Sequence, residues 1–140
     1  MGRPSKLSAD RWIETGLSVL AAEGFEGLKA ETLAKSLNVT RGSFYHHFHD
    51  VSDFHRAVIA HWREAAARAF ACQTAPASIA GQGLDQRLQG FLRICLSNSD
   101  ELEHRIRLWA QTSDLPKLAL GSVDQLRLEF ATNLLAASGL

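Results

Sequence analysis

The stretch "NVTRGSFYHHFHD", residues 38–50, decides the reading of this chain. It holds Thr40, Arg41, Ser43, Tyr45 and the histidines His46, His47 and His49, and no acidic residue before Asp50. Phe44 and Phe48 are four residues apart, which places both rings on one face of a helix. That face can grip a core, and the remaining faces are left with hydroxyls, a guanidinium and imidazoles. A short helix that offers donors and no carboxylate suits the DNA major groove, where phosphates and base edges must be met. Gly42 carries no side chain near the helix start, so backbone N–H groups there can approach a phosphate.

Upstream, Thr40 supplies a hydroxyl to cap this helix. Asn38-Val39 reads as a tight turn after a second short helix over about 30–37, with Leu33, Ala34 and Leu37 inward. The pair makes a helix-turn-helix. A first helix precedes it, with Ser8 as cap, Asp10 at its positive end and Leu7 positioned to staple onto Trp12. Ile13, Gly16, Leu17, Leu20 and Ala21 share one face of that helix, and Gly24 closes it in a left-handed conformation. Downstream, Asp50 caps a long fourth helix over about 51–73, whose stripe is Phe54, Val58, Trp62, Ala65 and Ala69.

Residues 74–83, TAPASIAGQG, read as a linker. Helical periodicity then resumes. Leu84, Leu88, Phe91, Leu92 and Cys95 form one stripe, and Leu102, Ile106, Trp109 and Ala110 another. Asp114 before Leu115-Pro116 marks a further start. Val123, Leu126, Phe130 and Leu134 make the last stripe, with Gly121 either breaking that helix or tolerated inside it. The expectation is an all-α fold: a three-helix DNA-binding domain at 1–50, a connecting fourth helix, and a helical bundle at 74–140.

The 140 residues carry a formal net charge of zero, yet the charge is unevenly placed. Residues 1–9 hold Arg3 and Lys6 without an acid, and residues 32–49 hold Lys35, Arg41 and three histidines without one. A local basic field is what nucleic-acid binding requires, so a neutral total does not exclude DNA. No apolar run approaches the roughly 20 residues that span a bilayer. No apolar segment follows the basic MGRPSK, so a signal peptide is not expected and a cytoplasmic location is. Cys72 and Cys95 match no metal or redox spacing and read as reduced thiols. The clustered histidines match no ligand motif, and neither a metal nor another cofactor is expected. Nor do nucleophile, base and orienting group form a catalytic constellation, so the chain does not read as an enzyme. The remaining alternative, a helical protein-interaction module that does not bind DNA, would present a larger apolar face than this acid-free helix does.

The segment "AEGFEGLKAETLAKSLNVTRGSFYHHF" resembles the DNA-binding region of the tetracycline-repressor (TetR) family of transcriptional regulators. The resemblance spans about residues 8–62. It implies a repressor that binds a palindromic operator in double-stranded DNA as a homodimer and is released by a small-molecule effector. It also implies contact roles for Lys29, Thr40, Arg41, Gly42, Ser43, Tyr45, His46 and His47, with Tyr45 reaching a phosphate and His46 reading bases. The basic arm with Arg3 resembles those that enter the minor groove. Glu31 stands where some members place a basic contact, and Val51 where many carry a phosphate-binding lysine. For the effector, Trp62, Phe91, Cys95 and Trp109 are the candidate pocket lining, with plain core packing as the alternative. Members usually continue into further C-terminal helices, so the C-terminal domain is expected to be shortened or incomplete.

Overall fold

Helix starts and stops follow local chemistry closely enough to be traced from residue to element. The computed structural model describes residues 8–97, 101–137 and 139. Among these it contains α1 (Ala9–Glu23), a 3₁₀ turn (Phe25–Gly27), α2 (Ala30–Ser36), α3 (Arg41–His47), α4 (Val51–Thr74), α5 (Pro76–Ile79), α6 (Leu84–Ser97), α7 (Glu101–Ala110) and α8 (Asp114–Ala137). Arg3 and the other residues of the basic arm, and Leu7 with its staple, lie outside the described residues.

Ser8 caps α1, its Oγ accepting from the Arg11 N–H at 3.3 Å. At the other end Gly24 takes φ 87°, ψ −175°, and its N–H closes on the Leu20 carbonyl at 2.9 Å. The positive φ is the one expected of a terminating glycine, but ψ is extended, so the chain leaves straight into the 3₁₀ turn. Arg105 of α7 donates to the Ala22 carbonyl at 3.4 Å, placing a cation at the negative end of α1. Asp50 caps α4 by accepting from the Asp53 N–H at 2.7 Å, and Asp53 accepts in return from the His49 N–H at 3.1 Å. This reciprocal box fixes the step from α3 into α4.

One core joins the two ends of the chain. Trp12, Leu20, Leu33, Phe44, Phe54 and Val58 are buried with Ile106, Trp109, Leu120 and Val123. Helix α1 lies between α4 and α7, and α8 packs along both α4 and α7. The α7–α8 contact is also ionic. Buried Glu103 is bonded by Arg127 at 2.7 Å and by Arg107 at 3.3 Å, while Asp124 receives Arg107 at 2.9 Å and Arg127 at 3.1 Å. Two carboxylates against two guanidiniums leave the buried charge compensated, which is the condition for tolerating it.

Several sequence expectations change in three dimensions. The stretch 74–83 is not wholly a linker, since Pro76 opens the one-turn helix α5. Along α4, Phe54, Val58 and Trp62 are buried as expected, but Ala65 and Ala69 are exposed and the stripe turns to Ala66 and Phe70. The turn brings Phe70 against Phe130 of α8, at 5.7 Å between ring centroids. Leu92 is 55 % exposed and leaves the α6 stripe. Gly121 is carried inside α8.

Gly16 sets the approach of α1 to α4. A Cβ there would stand 2.7 Å from the Phe54 ring and 3.2 Å from Val58. Gly16→Val is expected to destabilise the fold by about 1–3 kcal/mol, because neither neighbour has free space and a β-branched residue adds little helix propensity in return. Chemical denaturation of the two proteins measures it.

Candidate nucleic-acid interface

The turn between α2 and α3 is built by two hydrogen bonds. The Val39 N–H donates to the Ala34 carbonyl at 3.0 Å and the Asn38 N–H to the Lys35 carbonyl at 3.2 Å. This is the Schellman arrangement, and it requires a left-handed residue at Asn38, whose φ is 56°. Asparagine tolerates that conformation better than any β-branched residue. Val39 then tucks against the core and Thr40 takes the extended conformation that starts α3.

Thr40 holds the N-cap position, but its side chain makes no capping hydrogen bond, contrary to the sequence reading. The helix therefore depends on packing. At seven residues α3 is too short to persist alone. It is seated by Phe44, fully buried, whose ring meets Trp12 at 5.5 Å, Phe54 at 5.3 Å and Phe48 at 5.3 Å. Phe48 also meets Phe54 edge-on at 4.9 Å. Each such pair contributes about 0.5–1.5 kcal/mol beyond the area it buries.

With the phenylalanines inward, the polar residues of α3 face out. Arg41, Gly42, Tyr45 and His46 are exposed, and Ser43 and His47 half-buried. Tyr45 is 42 % exposed although its ring edge rests on Phe44 at 5.1 Å. Arg41 lies over the Tyr45 ring, 5.7 Å from its centroid, and pairs with Glu31 of α2 at 3.3 Å. Hydrogen bonding to the Tyr45 hydroxyl and the nearby Tyr45 and Glu31 charges raise the Arg41 pKa. The Arg41–Glu31 pair links the first turns of α2 and α3, and the two N-cap residues, Lys29 of α2 and Thr40 of α3, are both exposed. The role of Glu31 as the partner of Arg41 was not visible in the sequence, because nothing local links residues ten apart on separate helices.

The four candidate effector residues do not converge on one cavity. Trp62 lines a cavity of about 230 Å³ with Leu102, Glu103 and Arg127. Phe91 belongs to a ring cluster with Phe70 and Phe130. Cys95 is half-buried, with burial pushing its thiol pKa up. Trp109 points away from these groups and stacks on Phe25 of the 3₁₀ turn, 4.6 Å between centroids. The cause is the packing of α7 on α1, which turns Trp109 toward the helix-turn-helix.

The family model for bacterial regulatory proteins of the tetR family matches residues 13–52. That span runs from the first buried turn of α1 through both helices of the motif to the cap box of α4. The chain carries a tetR-family DNA-binding domain. The matched family is one of DNA-binding transcriptional regulators, and α3 is the second helix of the matched helix-turn-helix. No curated protein and no solved structure matches the chain. No helix among the described residues is long and apolar enough to cross a membrane.

His55, on α4 directly after the domain, links it to the rest of the molecule. Its Nε2 lies 3.0 Å from the Leu28 carbonyl, and its ring meets Phe25 at 5.2 Å and Trp109 at 5.3 Å. Burial pushes its pKa below the ordinary value of 6.5, and the Leu28 bond and the Asp50 charge oppose this only in part. The unfolded chain therefore binds the proton more readily. The stability gained from a neutral His55 is complete above the ordinary value and is lost as pH falls below it toward the depressed folded value. Thermal unfolding across this range is expected to show that loss, and His55→Gln to flatten it.

Proposed function

We propose that the chain represses transcription by binding a palindromic operator as a homodimer, and that a small-molecule effector releases it. The observation that carries the reading is α3: a family-matched helix fixed by Phe44 and Phe48, with an outward face of donors and no carboxylate. On this reading residues 1–50 are the DNA-binding domain, α4 the connector and residues 74–140 the regulatory part. The protein acts as a regulator and not as an enzyme, in the cytoplasm. Lys29, Thr40, Arg41, Gly42, Ser43 and Tyr45 engage the backbone and the groove edge, and His46 and His47 address bases. Arg3 adds a minor-groove contact from the arm.

Two reading helices must be held one DNA turn apart or a multiple of it, so a second copy is required. The last apolar stripe read from the sequence, Val123, Leu126, Phe130 and Leu134, offers one surface for such a contact. In the fold Val123 and Leu134 are buried and Phe130 is taken up by Phe70 and Phe91. Of that stripe Leu126 is exposed, and the other exposed leucines among the described residues are Leu118, Leu128 and Leu135 on α8, Leu108 on α7, and Leu92 and Leu96 on α6. A self-complementary contact between copies draws on these.

Two substitutions separate backbone contact from base reading. Tyr45→Phe is expected to weaken binding to every duplex by roughly 1 kcal/mol, the worth of one hydrogen bond. His46→Ala is expected to change which duplexes are preferred, since a base contact discriminates by about 1–3 kcal/mol. Fluorescence anisotropy on a panel of varied duplexes reads both, and an unaltered preference in His46→Ala removes it from the reading set.

Glu31 competes with phosphate for Arg41 across 3.3 Å. Glu31→Gln is expected to tighten DNA binding several-fold at low salt and to steepen its salt dependence by up to about one unit in the log–log slope. Equal affinity and equal slope in the two proteins would mean that Glu31 does not compete with DNA for Arg41.

A further inference from the structure

A second feature of the molecule belongs neither to the reading helix nor to the bundle interior. Where the start of α4 meets the α7–α8 connection there is a cleft of about 460 Å³. Its volume falls within the range of small-molecule sites. One wall is aromatic, made of Phe25, His55 and Trp109, which hold one another at centroid distances of 4.6–5.3 Å. The other wall is polar, with Arg56 from α4 and Thr112 and Ser113 from the connection. None of its described lining residues is acidic.

Arg56 is the only group of fixed charge on this lining. Its partner Asp53 is 3.6 Å away and already accepts from the His49 N–H, so the guanidinium keeps donors for a ligand. Phe25 is 39 % exposed, an unusual position for a ring already stacked on a buried tryptophan, and leaves aromatic surface open. A flat ring against an aromatic wall with an anion on a guanidinium satisfies both walls at once.

We propose that this junction cleft binds a planar aromatic carboxylate and that occupancy alters DNA affinity. The second half rests on the regulatory reading above. Coupling has a short path. His55 contacts both the cleft and the Leu28 carbonyl, and Leu28 adjoins Lys29, the N-cap of α2. Phe54, the neighbour of His55, is packed on Phe44 of the recognition helix. A ligand that shifts the His55 ring therefore acts on the segments that adjoin α2 and α3.

The probe is 2-naphthoate, with neutral 2-naphthamide as its control, titrated into the full chain by calorimetry and followed by tryptophan fluorescence. Saturable binding of naphthoate is expected, with naphthamide weaker by about tenfold or more, the worth of a charge-assisted hydrogen bond. Arg56→Gln should lose the same factor, and Arg93→Gln, on exposed α6 surface, should not. No saturable binding at millimolar naphthoate overturns the proposal. Equal binding of acid and amide, or indifference to Arg56→Gln, overturns it as well. Duplex affinity with and without naphthoate tests the coupling separately. Ligand binding with unchanged DNA affinity leaves the site and removes its regulatory role, whereas absence of DNA binding in either condition rejects the regulator and leaves the ligand result standing.

Discussion

The structure depends on the seating of one phenylalanine. Phe44 is buried at the meeting point of α1, α3 and α4, with rings from Trp12, Phe48 and Phe54 around it. Helix α3 has seven residues and no side-chain cap, so its helical state is a consequence of this contact and not of its own propensity. The requirement explains the composition of the helix. Everything apolar in it must point one way, and everything that points the other way is free to be chosen for a partner. A donor-rich, acid-free outer face is the result.

The same contact reaches into the rest of the chain. Gly16 lets α1 come close enough for Phe54 to lie between the two helices. One residue further on, His55 bonds the Leu28 carbonyl and completes the aromatic group with Phe25 and Trp109. Two successive residues of α4 thus face two different neighbours, Phe44 of α3 for one and Phe25 with Trp109 of α7 for the other. The start of α4 is therefore in contact with both. The Glu103–Arg127–Arg107–Asp124 network ties α7 to α8.

Signals that act over a few residues were legible in the sequence. The caps at Ser8 and Asp50, the turn at Asn38 and the paired Phe44 and Phe48 each state their role within one or two helical turns, and the family-model match covers all of these except Ser8. Signals that need a third dimension were not. In α4 the run Ala65-Ala66-Ala67 gives no contrast between faces, so the change of neighbour that moves the stripe to Ala66 and Phe70 left no periodic mark. In α8 leucines occur on nearly every face; the stripe picked out buried Val123 and Leu134 and left out exposed Leu128, but it also took in Leu126, which is exposed. Trp62, Phe91, Cys95 and Trp109 looked alike as apolar bundle residues, but their helices turn them to different neighbours. For the interface, the residue types of α3 could be read directly, while the hold of Glu31 on Arg41 could not, because it exists only once α2 and α3 are side by side.

The central claim is that α3, held by Phe44, reads DNA sequence in two symmetry-related copies. Selection of bound duplexes from a random pool at near-physiological salt tests it most directly, since nonspecific phosphate binding is weak there. The account predicts enrichment of a palindrome whose half-sites are separated by a whole number of helical turns. Enrichment of no sequence at all would contradict it.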